Sequence, residues 1–153
     1  MDLELPNDFK EFLRLLRARE VEYLLVGGYA VGYHGQPRFT NALDIWVGIS
    51  SDNVERVIGV VREFGFNVPE LTSKLFRQPD QIVRMGVEPV RIELMTSASG
   101  VDFETCYSER VETFLDGVPV SLISFKHLKL NKKATGRMKD LADLDILTKV
   151  EDD

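Results

Sequence analysis

The feature that most constrains this chain is a short apolar run that ends on two glycines, followed after a spacer by a second apolar run with an acid inside it. The first run, residues 22–26 (EYLLV), is rich in strand formers and stops at Gly27-Gly28. The second, residues 42–49 (ALDIWVGI), alternates: Leu43, Ile45 and Val47 share one side, and Asp44 and Trp46 share the other. Runs this short are too brief for buried helices and read as strands. Helical patterns lie between and around them, so the expected class is α/β (α+β), a small mixed β-sheet flanked by helices.

The remaining elements follow from periodicity and punctuation. Residues 7–19 predict a helix capped by Asn7 or Asp8, with Phe9, Phe12, Leu13, Leu15 and Leu16 as its buried stripe. YAVGYH after the glycine pair predicts a short helix stopped by Gly35 and Pro37. Residues 52–64 predict a helix with Val54, Val57, Ile58, Val61 and Phe64 inward, closed by Gly65. QIVRM (81–85) and VRIELM (90–95) predict two strands joined by a hairpin loop, and 117–120 a turn entering a short strand. Ser124 caps a helix beginning FKHLKLNKK, and a second helix after Gly136 carries Leu141, Leu144, Ile146 and Leu147. No repeat or Pro/Gly/Ser linker interrupts the chain. The expectation is one domain over 1–153, with a core of about 20–122 and a C-terminal helical tail of about 124–148.

Charge narrows the function. Nineteen Lys and Arg against 25 Asp and Glu give a net charge of −6. That argues against sequence-independent binding to a nucleic-acid backbone, though a local basic groove stays open. The lone cysteine, Cys106, rules out an internal disulfide and a cysteine zinc cluster, and His34 and His127 are too few for a His-rich metal site. The N-terminus is charged and lacks the apolar core of a signal peptide, and no apolar run approaches membrane-spanning length. The expected location is the cytoplasm, away from membranes.

Four features carry candidate chemistry, each beside a plainer reading. Gly27-Gly28 between strand and helix lets backbone approach a ligand and offers amides to a phosphate; the plainer reading is an ordinary turn. Asp44 in an apolar strand requires a cation, a donor cluster or a solvated cleft; the alternative is an edge acid facing water. Glu93 repeats the pattern in VRIELM. If its strand neighbours that of Asp44, both carboxylates reach one point and suit Mg²⁺, or else Glu93 pairs with Arg91 or Arg84. Lys132, Lys133, Arg137 and Lys139 form a basic junction able to hold a triphosphate, or a solvated helix end salt-bridged to Asp140, Asp143 and Asp145.

Together these residues resemble a known signature. The stretch YLLVGGYAVGYHGQPRFTNALDIWV is similar to that of the minimal nucleotidyltransferases of the DNA polymerase β superfamily, with the AbiEii-type proteins of toxin–antitoxin and phage-defence systems as the nearest group. The family has Gly-Gly or Gly-Ser, a spacer, then acid–apolar–acid–apolar. Here thirteen residues (29–41) separate Gly28 from Ala42-Leu43-Asp44-Ile45. Glu93 matches the place of the third acid, and NKKATGRMKDLADLDIL resembles the C-terminal helical segment, with Lys132 where the family has a phosphate-contacting lysine. The departure is Ala42, which stands where the first acid belongs.

The resemblance implies a polymerase β-like nucleotidyltransferase fold. It implies transfer of a nucleotidyl group from an NTP to a hydroxyl of RNA (a tRNA 3′ end), protein or a small molecule, releasing pyrophosphate with Mg²⁺ or Mn²⁺ as cofactor. Asp44 and Glu93 would be catalytic and metal ligands, with Ala42 marking the missing acid; Glu93 would also be the base. Gly27, Gly28, Arg38, Thr40 and Lys132 would bind the nucleotide. Partners would include a cognate toxin or antitoxin or a second copy of the chain. Two readings of Ala42 stay open: a disabled enzyme, and an antitoxin-like module that binds nucleotide or protein without turnover. A small α/β protein whose acids are all salt-bridged is the third possibility.

Overall fold

The computed structural model describes residues 4–152 apart from 67 and 70. Within them, in chain order, lie α1 (Asn7–Ala18), β1 (Tyr23–Val26), α2 (Gly27–His34), β2 (Ala42–Val47), α3 (Ser51–Phe64), α4 (Ser73–Phe76), β3 (Ile82–Met85), β4 (Arg91–Met95), α5 (Phe103–Ser108), β5 (Val111–Leu115), β6 (Val118–Leu122), α6 (Phe125–Thr135) and α7 (Met138–Asp152). The strands form one six-stranded sheet in the order β3-β4-β2-β1-β6-β5. It is mixed: β2 runs parallel to β4 and β1 parallel to β6, while β1–β2, β3–β4 and β5–β6 are antiparallel. Among the described residues no helix is long and apolar enough to cross a membrane.

The amphipathic helices form where the apolar spacing places them. In α1, Phe9, Phe12, Leu13 and Leu16 are buried, and the helix packs on α3, which buries Val54, Val57, Ile58 and Val61. Phe12 meets Phe64 edge-on at 5.2 Å. Neither Asn7 nor Asp8 caps α1. Pro6 occupies that place with φ −55°, and its carbonyl accepts from the Phe9 and Lys10 amides at 3.0 and 3.1 Å. Asn53, in the first turn of α3, is buried and clamps three segments. Its Oδ1 accepts from the Glu22 amide at 2.7 Å, and its Nδ2 donates to the Glu22 and Gly48 carbonyls. That clamp fixes the start of β1 against the end of β2, the pair that carries the glycine corner and Asp44.

Three elements were not expected from the sequence. Helix α4 is a single turn capped by Thr72, and α5 is six residues capped by Asp102, whose carboxylate accepts from the Thr105 amide. Both are too short to display a helical period. Strand β5 alternates between exposed and half-buried positions, and the Asp116-Gly117 turn, with φ of 48° and 80°, joins it to β6. In α7 the apolar reading is corrected. Leu147 is buried but Leu141 is 50% exposed, and two acids, Asp140 and Asp143, are buried in the same helix.

Phe12→Ala removes a fully buried ring at the α1–α3 seam. The expected cost is about 3–5 kcal/mol, read as a lower urea midpoint with unchanged slope.

Candidate functional site

One cavity of about 1030 Å³ opens over the β2–β4–β3 face of the sheet. Its floor follows from strand register. Asp44 on β2 is the parallel partner of Glu93 on β4, which is the antiparallel partner of Arg84 on β3. Partners in register project to the same face, so the two acids and the arginine form one polar row. Two residues back along the strands, on the same face, Ala42 pairs with Arg91.

The glycine corner forms one wall. Gly27 has φ +68°, and a Cβ there would sit 2.8 Å from Asp44 Cγ. A Cβ on Gly28 would sit 2.6 Å from Thr40 Cγ2. Two glycines are therefore what allow the start of α2 to lie directly against the acid strand and the 38–40 loop. No side chain caps this helix end, so its first-turn amides are available to an anion.

The two acids share a hydrogen bond and split their proton affinities. Burial pushes Asp44 up, and the hydrogen bond and charge of Glu93 push it further, to about 7. Burial also pushes Glu93 up, but the hydrogen bonds from Asp44 and Arg84 and the charge of Arg91 outweigh it and leave Glu93 below its ordinary value. Arg84 Nε donates to Glu93 Oε1 at 2.7 Å. The expected salt bridge and the acid pair therefore coexist. Two neighbouring carboxylates, one of them pushed toward its protonated form, mark a place where a cation is favoured.

The far wall comes from α6, α7 and the 38–40 loop. Lys132 is buried, with Nζ 3.2 Å from both Asp140 Oδ1 and Asp143 Oδ2. Arg38 pairs with Asp143 at 2.5 Å, and Arg137 with Asp140 at 2.6 Å. The basic junction is thus divided: Lys132 is buried between two acids, while Lys133, Arg137 and Lys139 are exposed. Two buried acids hold three cations at the rim of one cavity. Lys139 lines the cavity as well, and its charge reaches Asp44.

Gly27, Gly28, Arg38, Thr40, Ala42, Asp44, Glu93 and Lys132 all line this space. Sequence reasoning did not assign Arg91 to it, nor anticipate that Asp140 and Asp143 are buried. A signal for the second existed: 140, 143 and 147 are spaced as one helical stripe, in which acids take apolar positions. Among the described residues no group of three or more His, Cys, Asp or Glu side chains is arranged for a metal. Ala42 contributes no ligand, so the donor set does not fit two ions. Two carboxylates with room for substrate oxygens do fit one Mg²⁺ or Mn²⁺.

Burial raises the Asp140 carboxyl, but hydrogen bonds from Arg137 and Lys132 outweigh it and hold it at about 2, against an ordinary 3.8. A depressed native value stabilises the fold above the unfolded value, and that contribution is lost as pH falls from about 4 through 2. Its size is about 2 kcal/mol. Urea unfolding across this window is expected to show that loss, and Asp140→Asn to flatten it.

No protein-family model matches the chain, and no curated protein matches it. Among solved structures, the lincosamide antibiotic adenylyltransferase LnuA, in its lincomycin-bound form, is similar in fold, with a TM-score of 0.63 at 16% identity. The match covers 98% of this chain and 99% of that one. The chain therefore has a nucleotidyltransferase fold along nearly its whole length.

Proposed function

We propose that the chain binds a nucleoside triphosphate with a divalent ion and transfers its nucleotidyl group to an acceptor hydroxyl. The observation that carries this reading is the Asp44–Glu93 pair, in register on neighbouring strands beneath the glycine corner. Gly27 and Gly28 amides, at the positive end of α2, receive phosphate oxygens. Lys132, held between Asp140 and Asp143, and Arg38, held by Asp143, are pre-positioned cations for the same phosphates. Thr40 packs on Gly28 and shapes that corner.

Asp44 and Glu93 would hold the single ion that the donor set accommodates. Bound there, Mg²⁺ or Mn²⁺ would neutralise phosphate charge and acidify the acceptor hydroxyl. Glu93, kept ionised by Arg84 and Arg91, is the base that takes the hydroxyl proton. The acceptor oxygen then bonds to the α-phosphorus, the α–β bridge breaks, and pyrophosphate leaves with that bond's electron pair.

A small molecule is the best-supported acceptor. The structural neighbour is bound to lincomycin, and a net charge of −6 weighs against a large RNA. A tRNA 3′ end or a protein hydroxyl remain the other acceptor classes. The finer family reading is an AbiEii-like protein acting as one domain in the cytoplasm, with a cognate toxin, antitoxin or second copy as partner.

Ala42 favours a second reading, a pseudo-nucleotidyltransferase that binds without turnover. The two separate by calorimetry and assay. Both predict NTP binding that Mg²⁺ strengthens and Asp44→Asn weakens by roughly tenfold, since one charged ligand is lost. The enzyme reading adds measurable transfer from labelled NTP, raised at least tenfold by Ala42→Asp through a restored ligand. Absence of NTP binding with and without Mg²⁺ contradicts both.

A further inference from the structure

Beyond its charge acting on Glu93, Arg91 has no contact role so far. It lines the cavity and faces Ala42 across the β2–β4 register. Its Nε is shielded from water and has no hydrogen-bond partner among the described residues. Glu93 Oε1 lies 3.7 Å from that nitrogen, and the same oxygen is already engaged by Arg84 at 2.7 Å. The other neighbour, Glu88, sits 3.4 Å from Nη2 on the exposed hairpin, with 54% of its side chain in water. A pair that exposed holds a guanidinium weakly.

An orphaned, shielded donor calls for a partner, because an unmade hydrogen bond to a shielded polar group is destabilising. Opposite it stands a methyl group at the position where the resemblance expects a carboxylate. The guanidinium is therefore a permanent positive charge set beside the gap at Ala42, on the same floor as Asp44 and Glu93. Oxyanions match its planar donor fork.

We infer that Arg91 is a phosphate-binding residue for the triphosphate, a fixed cation at the place beside position 42 where the carboxylate needed for a second divalent ion is missing. This rests on the reading that the cavity takes an NTP. It adds a third fixed cation, on the sheet floor, to Lys132 and Arg38 on the opposite wall. Because this charge belongs to the chain, part of the triphosphate affinity persists without divalent ions.

Calorimetry with ATP and AMP tests it, first in EDTA and then in Mg²⁺, on the native chain, Arg91→Gln and Arg91→Lys. Each variant is checked for native circular dichroism and melting. The native chain is expected to bind ATP more tightly than AMP even in EDTA. Arg91→Gln should lower ATP affinity in EDTA at least tenfold while changing AMP affinity less than twofold, and Arg91→Lys should recover part of the loss. A merely structural role for Arg91 would lower ATP and AMP affinity alike, and that result overturns the inference. So does an unchanged ATP affinity in folded Arg91→Gln. If the native chain binds no nucleotide under either condition, the reading of the cavity itself fails first. ATP binding only in Mg²⁺, with Arg91→Gln indistinguishable from native, leaves that reading standing and removes the role of Arg91.

Discussion

Two carboxylates side by side on neighbouring strands repel each other and resist burial. Asp44 and Glu93 occupy that arrangement, and much around them offsets its cost. Burial and the charge of Glu93 favour the protonated form of Asp44, which relieves the repulsion. Arg84 binds one oxygen of Glu93, Arg91 lies nearby, and the charges of Lys132 and Lys139 act on Asp44. The glycine corner is fitted to the same acid, since any larger residue at 27 would collide with its side chain. The neighbours of this pair therefore make sense as its supports.

The same logic places the opposite wall. A lysine buried without counter-charge would be costly, so α7 supplies Asp140 and Asp143 from its buried stripe. Removing one partner of such a buried pair costs about 3–5 kcal/mol, so these acids fix cations that flexible surface chains would leave mobile. Arg38 arrives from the loop before β2 and is held by the same Asp143, which ties the glycine side of the cavity to the C-terminal helices. One residue thus couples two walls that lie far apart in sequence.

Much of this was legible beforehand. The acid inside each apolar strand, the glycine pair and the spacing between them are local patterns, and they identified Asp44, Glu93, Gly27 and Gly28 as candidates. What a sequence cannot display is register, and it is register that puts Asp44 opposite Glu93 and Ala42 opposite Arg91. The Asp116-Gly117 pair was an available hairpin signal for β5, but a half-exposed edge strand has too weak an alternation to stand out. The buried acids of α7 were masked by the neighbouring leucines. Leu141 and Leu144 complete a plausible apolar face on paper, while packing turns Leu141 toward water because Lys132 needs the other side.

Ala42 makes the chemistry of the floor testable at atomic level. Diffraction from crystals grown with a non-hydrolysable NTP analogue and Mn²⁺, collected at the manganese edge, addresses it most directly. The account predicts one anomalous peak bridging Asp44, Glu93 and a phosphate oxygen, with the polyphosphate resting on the Gly27-Gly28 amides. A polyphosphate bound elsewhere, or an Asp44–Glu93 pair that stays hydrogen-bonded and free of metal beside a bound analogue, would contradict it.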